Sequence, residues 1–394
     1  MRNIDKIQNK CCGCHACEQV CKLNAISFKE NDEGFLYPII DKELCVDCGK
    51  CLDTCPVENP FYNKDDQVGF AAWVKDENIL KNSSSGGIFF SIAKEVISRN
   101  GYVSGCINDK NNLPKHVVTN EISLIEKMRG SKYVESDLSG TYQEIEEKLL
   151  NDEIVLFTGT PCQVAGLKTY LGKEYQKLIS VDIICHGVPS RLLYNEYLKF
   201  EEQQHGGKLL AFDFRSKSKH NWSLTYKIKL KKGKKIKTIE RMASLSPFYA
   251  SFLEGSIYRE SCYTCPYATI NRSGDITIGD FWGVEKVDPA LFNINGVSAI
   301  ILNNEKGKII FNEIQNNLSY NLVEVDDIKK HNGNLNMPSI RPKKRDEIYK
   351  DLKVLGFKTV SKKHMKTKGY LKDLIKDKIP NKFRYKIKKL LKKI

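Results

Sequence analysis

Eight cysteines fall into two copies of one spacing. Cys11, Cys14, Cys17 and Cys21 read C-x2-C-x2-C-x3-C, and Cys45, Cys48, Cys51 and Cys55 repeat it with Pro56 following. Three thiolates on a tight loop reach three irons of one cubane, and the fourth, at the start of a helix, reaches the other cluster. The spacing therefore predicts two 4Fe-4S clusters, one held by Cys11, Cys14 and Cys17 with Cys55, the other by Cys45, Cys48 and Cys51 with Cys21. Structural zinc, the competing use of thiolates, favours paired C-x2-C units with longer spacers. Lys22 stands where a proline often follows the fourth cysteine, which removes no ligand. Cys12 is a spare and reads as a buried thiol of the loop.

Five cysteines remain. Cys162 in FTGTPCQ and Cys185 in DIICHG each follow an apolar run, Cys262 and Cys265 form SCYTCP, and Cys106 sits inside a strand pattern as a core thiol. Neighbouring parallel strands converge at the ligand-binding edge of an α/β sheet. Two strand-end thiols and a C-x2-C loop can complete a four-thiolate site there. Alternatively Cys162 and Cys185 are core residues, and Cys262 and Cys265 bind zinc or nothing.

The elements that must position these groups alternate. VGFAAWVK (68–75), GYVSGCIN (101–108), EIVLFTGTP (153–161), KLISVDIICHG (177–187), SGDITIGDFWG (273–283) and NINGVSAIILNN (293–304) read as strands. SGGIFFSIAKEVISR (85–99) and TYQEIEEKLLNDE (141–153) read as amphipathic helices. Residues 222–241 read as a hairpin turning at Lys-Gly-Lys, with lysines on a solvated face. FYNKDDQ (61–67) reads as a linker.

Taken together, KNSSSGGIF (81–89), RGSKYVES (129–136), LFTGTPCQVAGLK (156–168), VDIICHGVPS (181–190), SCYTCPYA (261–268) and GDITIGDFWG (274–283) resemble the coenzyme F420 hydrogenase/dehydrogenase beta subunit family. Members resemble FAD-binding iron–sulfur oxidoreductases, some acting on the deazaflavin coenzyme F420. The resemblance implies a third 4Fe-4S cluster on Cys162, Cys185, Cys262 and Cys265, beside an FAD. The residues fit that implication. A pyrophosphate needs open backbone amides, and Ser83, Ser84, Ser85, Gly86 and Gly87 open a helix, while Gly159, Thr160 and Pro161, with Gln163 after them, form a second such turn. An ordinary helix cap explains the serines equally well. Lys132 is placed to put a cation near a phosphate or the reduced ring. His186 is a candidate flavin-proximal proton donor or a hydrogen-bonded turn histidine. Asp280 and Trp282 line the site or close a turn. The implied activity is electron passage between the ferredoxin-type clusters, the FAD and a coenzyme F420-like or other small-molecule substrate, with a redox partner protein or ferredoxin at the other end. The alternative is an electron-transfer adaptor that feeds a partner enzyme and does no substrate chemistry. Relatives of this kind resemble components of cell-surface polysaccharide biosynthesis.

Composition frames this reading. The chain has 394 residues, 41% hydrophobic and 28% charged, a globular balance. The N-terminus has no apolar h-region, and fourteen cysteines without an export signal suit a reducing cytoplasm. Residues 361–394 carry fourteen Lys/Arg against Asp373 and Asp377, so twelve of the fifteen net positive charges sit there. That concentration excludes a nucleic-acid footprint spread over the whole surface. YLKDLIKDKI (370–379) and NKFRYKIKKLLKKI (381–394), separated by Pro380, are amphipathic and basic. They suit an anionic membrane surface on the inner face of the membrane, an acidic partner, or a frayed helix packed on the body. The expected class is mixed α/β (α+β counting its first part). It comprises a two-cluster ferredoxin-like domain (1–60), a flavin-binding α/β domain (68–340, divided near 150) and a basic helical tail (341–394).

Overall fold

A computed structural model describes residues 2–63, 65–366, 369–379 and 383. The chain is organised by one eight-stranded sheet of order β13-β3-β12-β11-β7-β6-β4-β5. Its strands are β3 (Val68–Val74), β4 (Tyr102–Asn108), β5 (Pro114–Thr119), β6 (Val155–Gly159), β7 (Leu178–Ile183), β11 (Ile276–Asp280), β12 (Ser298–Leu302) and β13 (Leu318–Val323). The central β4, β6, β7 and β11 are parallel, and antiparallel strands extend both edges. Val155, Leu156 and Phe157 of β6 and Leu178, Ile179 and Val181 of β7 are buried, as continuous apolar runs at the middle of a covered sheet must be. Because β6, β7 and β11 share a direction, the segments that follow them, Thr160–Cys162, Ile184-Cys185 and Phe281-Trp282, emerge at one edge.

A smaller module precedes the sheet. β1 (Ile26–Glu30) and β2 (Leu36–Ile40) form an antiparallel ribbon beside the short helices Ala16–Val20 and Lys50–Asp53. A third module is a sheet of β8 (Lys208–Asp213), β9 (Thr225–Lys232) and β10 (Lys235–Met242). Lys232 pairs with Lys235, so the hairpin turns through Gly233-Lys234, with Gly233 at φ +58° as such a tight turn requires. Its core is aromatic, with Tyr194, Tyr197, Phe212, Phe214, Phe248 and Tyr249 buried together.

The end of the chain departs from the expected tail. The helix Lys344–His364, kinked at Gly356, buries Ile348, Tyr349, Leu352, Phe357 and Val360 in that aromatic core. Arg345 also reaches back to Glu33, with Nη2–Oε2 at 2.6 Å. Its alternating lysines mask the apolar stripe in the sequence. Of the 381–394 helix expected from the sequence, only Phe383 is among the described residues.

The first module is locked to the body through one buried guanidinium. Arg259 donates to the carbonyls of Cys11 (2.6 Å) and Leu36 (2.9 Å), pairs with Glu135, and lies 4.0 Å over the Tyr37 ring. Glu135 also accepts from the Leu36 amide at 2.9 Å. Gly13 must be glycine: a Cβ there would lie 2.6 Å from Glu135 Oε1, and its φ is +70°. Gln19 seals a second contact, accepting from Tyr142 N at 2.7 Å and donating to Leu138 O at 3.2 Å. Removing one member of a buried pair strands the other charge, so Glu135→Gln is expected to cost about 3–5 kcal/mol of stability, read from the urea midpoint. A loss below about 1 kcal/mol would mean that the pair does not hold the module.

Candidate functional site

The two cysteine repeats fold into two sets. Cys21, Cys45, Cys48 and Cys51 line one cavity of about 230 Å³, walled by Val20, Ala25, Ile26 and Val46. Cys11, Cys14, Cys17 and Cys55 lie together on the inner side and are all buried. Burial pushes the Cys17 thiol well up, and Cys11, Cys55 and Cys51 beside it add to the effect. The Gly13 amide points at Cys11 Sγ from 3.4 Å. Cys48 is exposed, so one set opens to solvent while the other faces the body.

Facing that inner set is a cavity of about 660 Å³, lined by Cys12, Cys162, Cys185, Cys262 and Cys265. Cys162 begins the helix Pro161–Leu171, Cys185 follows β7, and Cys262 and Cys265 lie on the turn that starts at Glu260. Burial, with Cys162 and Cys265 alongside, pushes the Cys185 thiol up to about 12, and burial with Cys162 alongside does the same to Cys265. Buried thiols that resist ionisation in each other's presence take up cationic iron readily, because the metal supplies the missing positive charge. Cys12, the spare, is part of the wall: its thiol lies near enough to those of Cys14 and Cys162 to influence their ionisation. No three His, Cys, Asp or Glu side chains among the described residues converge as tightly as a single metal ion requires. Cys106, read as a core thiol, lines the cavity's far side.

The remaining predicted residues lie on the same cavity except Gly86, which sits just behind it. Their roles differ from the simplest expectation. The serine hydroxyls are spent on the fold: Ser83 donates to Ile79 O (2.8 Å), Ser85 to Val297 O (2.7 Å), and Ser84 accepts from Ser131 N (2.9 Å). Gly86 is required by packing, since a Cβ would lie 2.3 Å from Ala72 O. What stays open is backbone: no side chain caps the helix Ile88–Ser98, so its first amides face the cavity uncapped. The second turn is closed by a capping box between Thr160 and Gln163, with Pro161 in the first turn.

Lys132 directs its ammonium inward. It donates to the carbonyls of Lys127 (2.8 Å) and Met128 (3.0 Å), with those of Arg129 and Gly130 near, and thereby fixes its own loop. Burial lowers its pKa. His186 lines the cavity, and burial lowers its pKa below the usual imidazole value, which keeps it neutral near pH 7. Asp280 forms a bidentate pair with buried Arg215 (2.5 and 3.0 Å) and accepts from Trp222 Nε1 at 2.6 Å. Trp222 stacks on Trp282 with centroids 5.0 Å apart.

Arg215, Lys217, Trp222 and His116 are not anticipated by the sequence reading. Lys217 donates to Leu80 O, Ser85 O and Asn295 O (2.9, 2.7 and 2.5 Å) and so holds the serine turn. Burial brings its pKa down to about 7. His116 sets Nε2 3.1 Å from the Thr158 carbonyl and leaves a buried Nδ1 without a partner. Such residues carry no local sequence pattern; the one usable signal is a basic residue directly after a strand, as Arg215 follows β8.

Comparison with known proteins places three family matches along the chain. Residues 10–59 match the 4Fe-4S dicluster domain, residues 69–141 the N-terminal part of the coenzyme F420 hydrogenase/dehydrogenase beta subunit, and residues 152–328 its C terminus. The chain belongs to that beta subunit family. It is an iron–sulfur member of an oxidoreductase family. It is 25% identical over 189 residues to a subunit of the F(420)H(2) dehydrogenase of Methanosarcina mazei, covering 44% of this chain and 53% of that one. It is 24% identical over 345 residues to the coenzyme F420-dependent sulfite reductase of Methanocaldococcus jannaschii, covering 81% of this chain and 48% of that one. The chain thus spans about half the length of these curated relatives. A chain of the F420-reducing nickel–iron hydrogenase complex from Methanosarcina barkeri aligns with a TM-score of 0.46 at 16% identity, covering 74% of this chain and 94% of that one. No helix among the described residues is long and apolar enough to cross a membrane.

His116 yields a pH test of the cavity wall. Burial, the largest influence, brings its pKa down to about 4. The unfolded chain therefore binds the extra proton between about pH 6.5 and 4, and stability falls as pH drops through that window. His116→Gln is expected to flatten the decline by up to roughly 3 kcal/mol, measured from urea midpoints at pH 7 and 4.5. An unchanged slope would place the imidazole in contact with water.

Proposed function

We propose that this chain passes electrons between two ferredoxin-type 4Fe-4S clusters, a third cluster on Cys162, Cys185, Cys262 and Cys265, and an FAD in the 660 Å³ cavity. The observation that carries the reading is that one cavity borders six cysteines, four of them Cys162, Cys185, Cys262 and Cys265, and the first turns of two helices, and that Cys12 lies between it and the inner ferredoxin set. Four thiolates from three segments suit a cubane. For FAD, the fit rests on size, on the uncapped amides of Ile88–Phe90, and on buried polar atoms without partners at Arg129 Nε, His116 Nδ1 and Arg215 Nε. When bound, FAD supplies interconversion of two-electron hydride transfer and one-electron transfer.

The chain's own residues do the rest. The open amides of the Gly87 turn would take the pyrophosphate, with the Gly159-Thr160 turn, whose Thr160 amide is held by Gln163, as the adjoining wall. Lys217 holds the serine turn by the Ser85 carbonyl, Lys132 holds the neighbouring 127–130 loop, and Arg215 with Asp280 fixes the wall that carries Trp282. His186, on the cavity wall with its pKa lowered, is the candidate proton donor or acceptor. Exposed Cys48 marks the end at which a redox partner protein or ferredoxin would meet the chain. The substrate class is a coenzyme F420-like deazaflavin or another hydride-exchanging small molecule, in a reducing cytoplasm. The adaptor reading is favoured by the greater length of the sulfite reductase relative, which leaves room there for other catalytic parts.

Anaerobically purified protein is expected to hold about twelve irons and one flavin per chain. Cys162→Ser should retain about eight irons. Flavin bleaching by a hydride donor without a partner protein supports the enzyme, and bleaching only with a partner supports the adaptor. Absence of flavin, or an unchanged iron count in Cys162→Ser, overturns the reading.

A further inference from the structure

The last described helix is amphipathic in the reverse of the usual sense. Tyr370–Asp377 turns its acids inward: Asp377 accepts from Lys219 Nζ (2.8 Å) and from the Met242 amide (2.8 Å), with His220 Nε2 at 3.2 Å, and it is buried. Asp373 is paired to Lys376 at 3.3 Å. The apolar residues point outward instead. Leu371 is 74% exposed and Ile375, one turn on, is 66% exposed, with Ile379 exposed just past the helix end. At 100° per residue Lys372 and Lys378 flank this stripe. The helix packs beside β10, the second strand of a hairpin whose Lys231, Lys232, Lys234, Lys235 and Lys237 are all exposed.

We propose that this face, Leu371 and Ile375 between Lys372 and Lys378, is a docking surface for an anionic lipid bilayer. A helix whose apolar stripe faces solvent has left that stripe for something other than its own core. The charge pattern selects the occupant. Both acids are neutralised on the inner side, so the outward field is set by lysines, in the segment that carries twelve of the fifteen net positive charges. Lysine stems lie along apolar surface while their ammonium groups reach phosphate headgroups. Each lysine near such a surface adds attraction that decays within a Debye length. The inference is independent of the redox reading, since no residue in it touches either cavity.

The test is sedimentation of the full-length, iron-loaded protein with vesicles. Vesicles containing phosphatidylglycerol are expected to carry the protein down, vesicles of phosphatidylcholine alone to leave it in solution, and raised salt to release it. Leu371→Ser with Ile375→Ser should weaken the partition at least tenfold with iron content unchanged. Lys372→Glu with Lys378→Glu should do so without touching the apolar stripe. Equal binding to both vesicle types, binding to neither, or full binding by both double variants overturns the proposal. So does a wild-type dimer that the serine variant converts to monomer while neither protein sediments with vesicles.

Discussion

A single buried cation decides where the cysteines meet. Arg259 is fully enclosed, and although burial opposes its charge, Glu135 together with Cys11, Tyr37 and Cys12 outweighs this and keeps the guanidinium protonated. Its side chain grips the backbone of Cys11 and Leu36 in the first module. Its own amide donates to Val188 O at 2.8 Å, just beyond Cys185, and its carbonyl accepts from Cys262 N at 3.0 Å. One residue thus ties the first cysteine loop to two of the three segments that supply the second cysteine group. Desolvating such a cation is favourable only when its nitrogens find partners, and Nε, Nη1 and Nη2 each have one. If they were lost, the ferredoxin-like module would keep its own fold but not its register on the sheet edge.

The same logic runs through the wall of the large cavity. Lys132 and Lys217 spend their hydrogen bonds on backbone carbonyls. Lys217 shapes the serine turn and Lys132 its own loop, and the recognition of an anion is left to backbone amides, which carry partial positive charge without the cost of dehydrating an ammonium. Arg215 is likewise committed to Asp280 and to Ser84 O at 2.9 Å, so it acts as a strut between the third module, the serine turn and β11. A cavity built this way is fixed before any ligand arrives, which suits a group whose potential must be set by its surroundings.

What is legible in the sequence is what is periodic or local. The strands β3, β4, β6, β7, β11 and β12 and the helices Ile88–Ser98 and Thr141–Leu150 lie within the stretches expected, because apolar runs at the centre of a covered sheet and amphipathic helices write themselves into the pattern. The ferredoxin spacing names its eight cysteines for the same reason. The helix Lys344–His364 is obscured, because its buried stripe is interrupted by lysines and by the Gly356 kink. The serines and glycines of 83–87 read as a phosphate loop, yet Gly86 answers to Ala72 O and the hydroxyls to carbonyls on other segments. Arg259, Arg215 and Lys217 are invisible for one reason: each acts through partners 65 to 248 residues away, and no local rule encodes such a pairing.

The central claim is that iron sits at three places, the innermost against Cys162, Cys185, Cys262 and Cys265 with Cys12 between it and the ferredoxin-like module. Anomalous diffraction at the iron edge, from crystals of anaerobically purified protein, addresses it directly. The account predicts three strong peaks, two among the eight repeated cysteines and one within the group that Arg259 anchors. Two peaks, with those four thiols free of metal, would contradict it.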